Sequence, residues 1–324
     1  MHTFFLNFAK LLDTAYAANN FLNEVKIIPL NFNAINIQTI KAEWLQQKEI
    51  SLDVLRLDKM HDVVSGNKWF KLKYYLQQAK AHNKTTIATF GGAWSNHIIA
   101  TAFAVEEAGL KSVGIIRGEK PAMLSETLQL ALNAKMQLIH VTREQYHQKE
   151  NLMKVFANED WLWVNEGGYG ALGAKGAAEI LTTIDTSRYT HIIAAVGTGT
   201  MLAGLVLSST NRQQVIGISS MKGNLVLEEQ VQKLLPASIK ENFTIFHDYH
   251  FGGYGKHPAH LIDFINDSYN KYQLPLDIVY TSKTFFAIKD LAEKKFFKTA
   301  SKILMIHSGG MQGNKSLPPQ VLAF

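Results

Sequence analysis

The chain reads as an α/β protein built on mostly parallel, twisted sheets covered by helices. Three observations predict it. At 324 residues and 47% hydrophobic, the chain can bury a large core and is long enough for two domains or one large α/β unit. From residue 50 onward, strand-like and helix-like segments alternate. Several strand-like runs are also apolar throughout, which fits strands buried on both faces.

The elements follow in order. Ser51 to Leu57 reads as a strand. A helix then starts near Lys68, where Trp69, Leu72, Leu76 and Ala79 recur at helical spacing. Thr86 to Phe90 is a short apolar strand ending in two glycines, and Ser95 to Ala108 a helix closed by Gly109. Ser112 to Ile116 (strand), Leu124 to Ala134 (helix), Met136 to Val141 (strand) and Trp161 to Val164 (strand) continue the alternation. The glycine-rich EGGYGALGAKG at 166–176 reads as a crossing between sheets. His191 to Val196 is a strongly apolar strand, followed by strands at Val215 to Ser219, Ile278 to Tyr280 and Ile303 to His307.

Composition narrows the function classes. There are no cysteines, which excludes disulfides, thiolate zinc sites and cysteine nucleophiles and fits a cytoplasmic protein. The net charge of +6 comes from 33 basic against 27 acidic residues. The basic residues are scattered. Their densest cluster, Lys294, Lys295 and Lys298, falls in a predicted helix as a solvated face. With no basic arm and no nucleic-acid motif, the charge fits an enzyme with anionic ligands and no nucleic-acid partner. No apolar run is long enough to span a membrane. The first 21 residues lack a basic n-region and an unbroken apolar stretch, and read as an amphipathic lead-in helix.

In parallel α/β sheets, ligands bind where loops leave the carboxyl ends of the strands. Three such loops stand out: GGAWSNH at 91–97, GTGTMLAG at 197–204 and SGGMQG at 308–313. GTGTMLAG follows a buried strand and opens a helix, so converging backbone N–H groups and the hydroxyls of Thr198 and Thr200 suit a phosphate. A dinucleotide turn needs a third glycine where this chain has Leu202, and IGISS at 216–220 offers no acidic residue for a ribose. GGAWSNH presents Ser95, Asn96 and His97 at a helix start, where N–H groups suit a carboxylate or simply a cap. The histidines of HDYHFGGYGKHPAH at 247–260 invite a metal reading, but no HExxH pattern or convincing third ligand accompanies them. No GxSxG elbow is present either.

Lys68, just after Gly66 and Asn67 in VSGNKWFKL, sits where the helix dipole disfavours its charge. With burial, that position favours the neutral, nucleophilic amine. On that segment alone, a surface lysine in a first turn is the simpler reading.

Together these segments resemble the 1-aminocyclopropane-1-carboxylate (ACC) deaminase / D-cysteine desulfhydrase family of pyridoxal phosphate (PLP) enzymes. SGNKWFKL, GGAWSNH, VGTGT, FGGYG at 251–255, VYTSKT at 279–284 and HSGG at 307–310 stand in the family's order, over most of the chain from Pro29. The resemblance implies a tryptophan-synthase-β-like fold (PLP fold type II) with a large domain from 1–69 and 166–324 and a smaller inserted α/β domain at 70–165. The cofactor would lie in the cleft between them, and the family is commonly dimeric. Lys68 would bind PLP covalently and move the substrate's α-proton. Asn96 would hydrogen-bond the cofactor's phenolic oxygen, and Gly197, Thr198, Gly199 and Thr200 would hold its phosphate. Ser95, with Asn96 and His97, would receive the substrate carboxylate. Tyr280 would stack near the ring, and Tyr254 would close the pocket.

One departure bears on substrate. ACC deaminases carry a glutamate after the VY tyrosine, reaching the pyridine nitrogen, and this chain has Thr281 there. Desulfhydrase-like members carry threonine there and a hydroxyl residue before the C-terminal GG, here Ser308. The resemblance therefore implies α,β-elimination on a small amino acid, with D-cysteine ahead of ACC. Two readings of other classes stay open: a PLP-binding carrier or sensor without turnover, and a nucleotide-binding α/β protein that uses GTGTMLAG.

Overall fold

A computed structural model describes residues 30–324 apart from 62, 65 and 240–242. The expected lead-in helix and Ser65 of the SGNK motif lie outside the described residues. Ten strands are described: β1 (Ile37–Ile40), β2 (Ser51–Arg56), β3 (Thr86–Gly91), β4 (Lys111–Arg117), β5 (Gln137–Val141), β6 (Trp161–Val164), β7 (His191–Val196), β8 (Gln214–Ser219), β9 (Phe243–Phe246) and β10 (Lys302–His307). They form a six-stranded sheet of order β1-β2-β10-β7-β8-β9 and a four-stranded sheet of order β5-β4-β3-β6. Every pairing is parallel except β1 with β2, where Ile37 faces Leu55.

The middle residues of β7 and β10 are apolar on both faces because helices cover both sides. Ile303 and Met305 of β10 join Phe285, Ile288 and Leu291 of the Thr281–Glu293 helix in one core. Leu304 and Ile306 turn the other way, toward Met201, Leu202 and Leu205 of the Thr200–Ser208 helix. This is the period-two alternation of a strand, read out into two apolar layers. In the smaller sheet, Ala88 and Phe90 of β3 pack with Tyr146 and Leu152, while Ile87 faces Ile98, Ile99 and Ala102 of the Asn96–Glu107 helix.

The segment after β6 fixes the site's geometry. A short turn at Glu166–Gly168 leads into the helix Ala171–Ala178, so part of the expected crossing is helical. That helix is built from small residues because two others press on it. A Cβ on Gly176 would lie 1.8 Å from the Phe70 carbonyl oxygen, and one on Gly204 would lie 2.7 Å from that of Ala174. The helix carrying Lys68 (Asn67–Ala81) and the helix opened by Thr200 are thereby locked on either side of it.

Other expectations are corrected. Ile278 to Tyr280 is a turn, not a strand, because Asp277 takes the N–H groups of Val279 and Tyr280 that a ladder would need. Lys294, Lys295 and Lys298 lie beyond the end of the Thr281–Glu293 helix rather than on its face. β1 and β9 were not expected. Both are four-residue edge strands that are only partly buried.

Among the described residues no helix is long and apolar enough to cross a membrane. No group of three or more His, Asp or Glu residues there is placed to hold a metal ion.

Candidate active site

Gly66 brings Lys68 to the carboxyl end of β10. Gly66 has φ +72°, and a Cβ there would lie 1.7 Å from the Ser308 carbonyl oxygen, so only glycine fits. The next N–H, from Asn67, donates to that same oxygen at 3.0 Å. Asn67 then accepts from Lys68 Nζ at 2.8 Å through Oδ1, while its Nδ2 contacts Met201 Sδ at 3.1 Å in the Thr200 helix. Lys68 is thus tied through Asn67 to Ser308 and to the helix that follows the glycine-rich loop. Burial drives the Lys68 amine down to about 8, against the pull of the Asp277 carboxylate.

The loop Gly197–Thr200 lies at the carboxyl end of β7. Gly199 precedes the helix in a left-handed conformation, and no side chain caps that helix. The first-turn N–H groups therefore face outward for an anion. Thr198 and Thr200 share a hydrogen bond at 3.1 Å between their hydroxyls. A Cβ on Gly167 would meet the Thr198 side chain at 2.9 Å. A Cβ on Gly197 would meet the Tyr280 ring at 3.4 Å. The tyrosine therefore packs directly on the glycine loop.

Ser95 caps the Asn96–Glu107 helix, accepting from the N–H groups of His97 and Ile98 at 3.2 and 3.3 Å. As an acceptor there, the hydroxyl keeps its own proton to donate. Asn96 Oδ1 accepts the N–H of Gln312 at 3.2 Å, and its amide lies against Gly310. The loop after β3 thus meets the loop after β10, just as the turn after β6 meets the loop after β7. The carboxyl ends of both sheets converge on one cleft.

The His97 side chain is held inward by its surroundings. The ring is 2% exposed, and its Nε2 is 2.8 Å from Thr89 Oγ1. The Thr89 hydroxyl donates to the Val164 carbonyl at 2.7 Å, so Nε2 must be the donor to Thr89. Burial, then the nearby Lys68 and Lys71, hold the imidazole well below its ordinary pKa. A neutral ring turned into the core brings no positive charge to a carboxylate.

Tyr254 and Tyr280 stand together, with ring centroids 5.9 Å apart, an interplanar angle of 72° and hydroxyls 3.4 Å apart. Burial, then Tyr254 itself, raise the Tyr280 hydroxyl well above its ordinary value. Tyr254 itself is 52% exposed and so stands on the open side of the pair.

Three buried charged residues at the site went unread in the sequence. Lys71, one turn after Lys68, donates to the Gly167 carbonyl at 3.3 Å. Burial, then Lys68, drive its amine well below the ordinary value. Asp277 is fully buried and receives the N–H groups of Val279, Tyr280 and Thr281 at 2.8, 2.9 and 2.7 Å. Lys283 is fully buried in the first turn of the next helix. The available signals were the i, i+3 spacing of Lys68 and Lys71 and an aspartate just ahead of a helix start.

The family model for pyridoxal-phosphate dependent enzymes matches residues 38–309. The chain belongs to that family. A Pyrococcus abyssi protein, provisionally named a 1-aminocyclopropane-1-carboxylate deaminase, is 29% identical over 82% of this chain and 87% of its own. A D-cysteine desulfhydrase of Serratia proteamaculans is 25% identical over 80% of this chain and 86% of its own. A crystal structure described as an ACC deaminase homologue shares the fold, with TM-score 0.73, 24% identity and coverage of 93% of this chain and 95% of that one.

Membership makes this chain an enzyme with pyridoxal phosphate as cofactor, and the residues present fit that group. A buried amine driven toward its neutral form suits a carbonyl partner. The uncapped helix start at Thr200, with the hydroxyls of Thr198 and Thr200 beside it, suits a phosphate.

Proposed function

We propose that the enzyme carries out α,β-elimination on a small amino acid. D-cysteine, converted with water to pyruvate, ammonia and hydrogen sulfide, is the leading substrate. The observation that carries this reading is the Lys68 amine, half-buried at a helix start and tied through Asn67 to Met201 in the helix that follows the Gly197–Thr200 loop. ACC, giving 2-oxobutanoate and ammonia, is the second reading. It is favoured equally by the relatives, which carry both names.

Lys68 holds the cofactor and moves the proton at the substrate's Cα. Thr198, Thr200 and the backbone of 197–200 bind the phosphate. Asn96 orients the ring from the side of the smaller sheet. Ser95 donates to the substrate carboxylate while its oxygen stays engaged as a cap. Tyr280 and Tyr254 wall the substrate side, the former packed on Gly197. The cofactor, when bound, supplies the electron sink that makes Cα–H loss possible.

Thr281 supports the preference for thiolate expulsion. Its hydroxyl proton is given to Asp277 at 2.7 Å, so it offers none to the pyridine nitrogen. That leaves Ser308 as the hydroxyl for that position. A ring without an enforced proton is a weaker electron sink, which suffices for a good leaving group better than for opening a cyclopropane. We further propose the division into a 70–165 unit and a 1–69 plus 166–324 unit, a homodimer, and cytoplasmic location.

The test is the visible spectrum of the purified protein with PLP, followed by D-cysteine, L-cysteine and ACC in turn. A cofactor band that shifts with D-cysteine and releases sulfide supports the reading. A shift with ACC and 2-oxobutanoate formation replaces it with the second. A band with no product from any of them points to another substrate or a binding role, and no band at all overturns the role of Lys68 in holding the cofactor.

A further inference from the structure

A lysine in the first turn of a helix opposes the helix dipole, and a buried ammonium is costly unless its donors are engaged. Lys283 accepts both penalties. It is fully buried, two residues after Thr281 at the helix start. Its Nζ donates to the carbonyls of His250 and Gly253 at 2.9 and 2.8 Å. Both carbonyls belong to the loop at 250–255 that carries Tyr254. That loop runs through left-handed or related conformations at Phe251 (φ +53°), Gly252 (+93°), Gly253 (+132°) and Gly255 (+69°). The glycines take such angles freely, so the sequence leaves this loop pliant, and only Phe251 pays for its left-handed conformation. The same helix also anchors the segment just ahead of the loop, through Tyr249 Oη donating to Asp290 at 2.6 Å.

We propose that Lys283 is a positioning residue for catalysis, fixing where Tyr254 stands against Tyr280 and so the shape of the substrate side of the cleft. Asp277 does the matching task for Tyr280 by gripping its N–H at 2.9 Å. One helix start therefore sets both tyrosines, Tyr280 through a carboxylate before it and Tyr254 through an amine within it. This inference rests on the proposed placement of the two tyrosines beside the substrate.

The test compares holoenzyme carrying Lys283→Met, which keeps length and removes the donors, with wild type. Hydrogen exchange over 250–255 is expected to rise about tenfold or more. The KM for the amino acid that wild type consumes should rise about fivefold or more, with a smaller change in kcat. The absorption band of the Lys68-bound cofactor should stay as in wild type. In a Tyr254→Ala background, Lys283→Met should add less than about twofold to KM, since the two act through one element. Unchanged exchange at 250–255 in the folded variant would overturn the proposal, as would fully multiplicative effects of the two substitutions. If Lys283→Met does not fold, Lys283→Gln, which keeps a shorter donor, is put through the same measurements with smaller effects expected. If wild type turns over none of the amino acids, the proposed function fails. Exchange at 250–255 then decides alone whether Lys283 holds the Tyr254 loop.

Discussion

Thr281 and Asp277 hold each other at both ends of one tight turn. The Thr281 hydroxyl donates to Asp277 Oδ1 at 2.7 Å, and the backbone N–H of Asp277 donates back to that hydroxyl at 2.8 Å. The same carboxylate takes the N–H groups of Val279, Tyr280 and Thr281. It therefore satisfies donors at the helix start, places Tyr280, and lies near enough to Lys68 to pull its amine pKa upward.

Replacing Asp277 with alanine should therefore do more than loosen a turn. Four donors lose a fully buried acceptor, a cost of about 3 kcal/mol or more. Lys68 also loses the group that holds its pKa up, so its amine should titrate below its present value of about 8. Urea unfolding of the apoprotein measures the first effect, and the pH dependence of cofactor uptake the second. A variant as stable as wild type would show that the bonds to Asp277 contribute nothing.

The lysines give a pH prediction with a definite sign. Lys68 and Lys283 bind a proton below about 8 in the folded apoprotein, against an ordinary value of 10.5. Between those values the unfolded chain holds more protons than the folded one, so unfolding takes protons up. Apoprotein stability should then climb as pH rises from about 8 toward 10.5, and the gain should be absent well below pH 8. Denaturant midpoints at pH 7, 8, 9 and 10 test this, and Lys68→Met and Lys283→Met should each flatten the slope. Cofactor uptake should likewise rise through pH 8, because the neutral amine is the nucleophile.

Two glycines at the site should respond differently to alanine. At Gly66 the new Cβ meets the Ser308 carbonyl oxygen at 1.7 Å with φ at +72°. Backbone must move, and the loss should be about 3 kcal/mol or more. At Gly197 it meets the Tyr280 ring at 3.4 Å, an ordinary contact. Gly197→Ala should fold with little loss of stability and leave Tyr280 in place, so KM should change by less than about twofold. Thermal melts with steady-state kinetics separate the two, and equal destabilisation would count against the contrast.

Much of this was legible before any coordinates. The runs Ile192 to Val196 and Ile303 to Ile306 are apolar without interruption, and such strands have few places to go except the middle of a covered sheet. The glycine loops were legible because glycine at a strand end constrains the backbone locally. What escaped were features set by contacts distant in sequence. Lys71 and Lys283 look like ordinary helix lysines, and their burial depends on Gly167, His250 and Gly253 far along the chain. His97 looked available at a loop and a helix start, until Thr89 and Val164 drew its ring inward. The turn at Ile278 to Tyr280 has strand-forming residues, but a side-chain acceptor at Asp277 outcompetes a strand partner for their N–H groups.

The substrate question comes down to position 281. Thr281→Glu puts the acid of the ACC deaminase pattern into this site. The substitution removes the hydroxyl that Asp277 now holds and brings a second carboxylate close to the first, two like charges in a buried setting. Stability should fall by about 1–3 kcal/mol. If the new carboxylate reaches the pyridine nitrogen, it keeps that nitrogen protonated and strengthens the electron sink. The ratio of kcat/KM for ACC over that for D-cysteine should then rise relative to wild type, even while both absolute rates drop. Measuring the ratio rather than either rate removes the common loss from the weakened turn. A ratio that stays put in a folded, cofactor-loaded variant would move the discrimination away from position 281 and onto the wall made by Tyr254 and Tyr280.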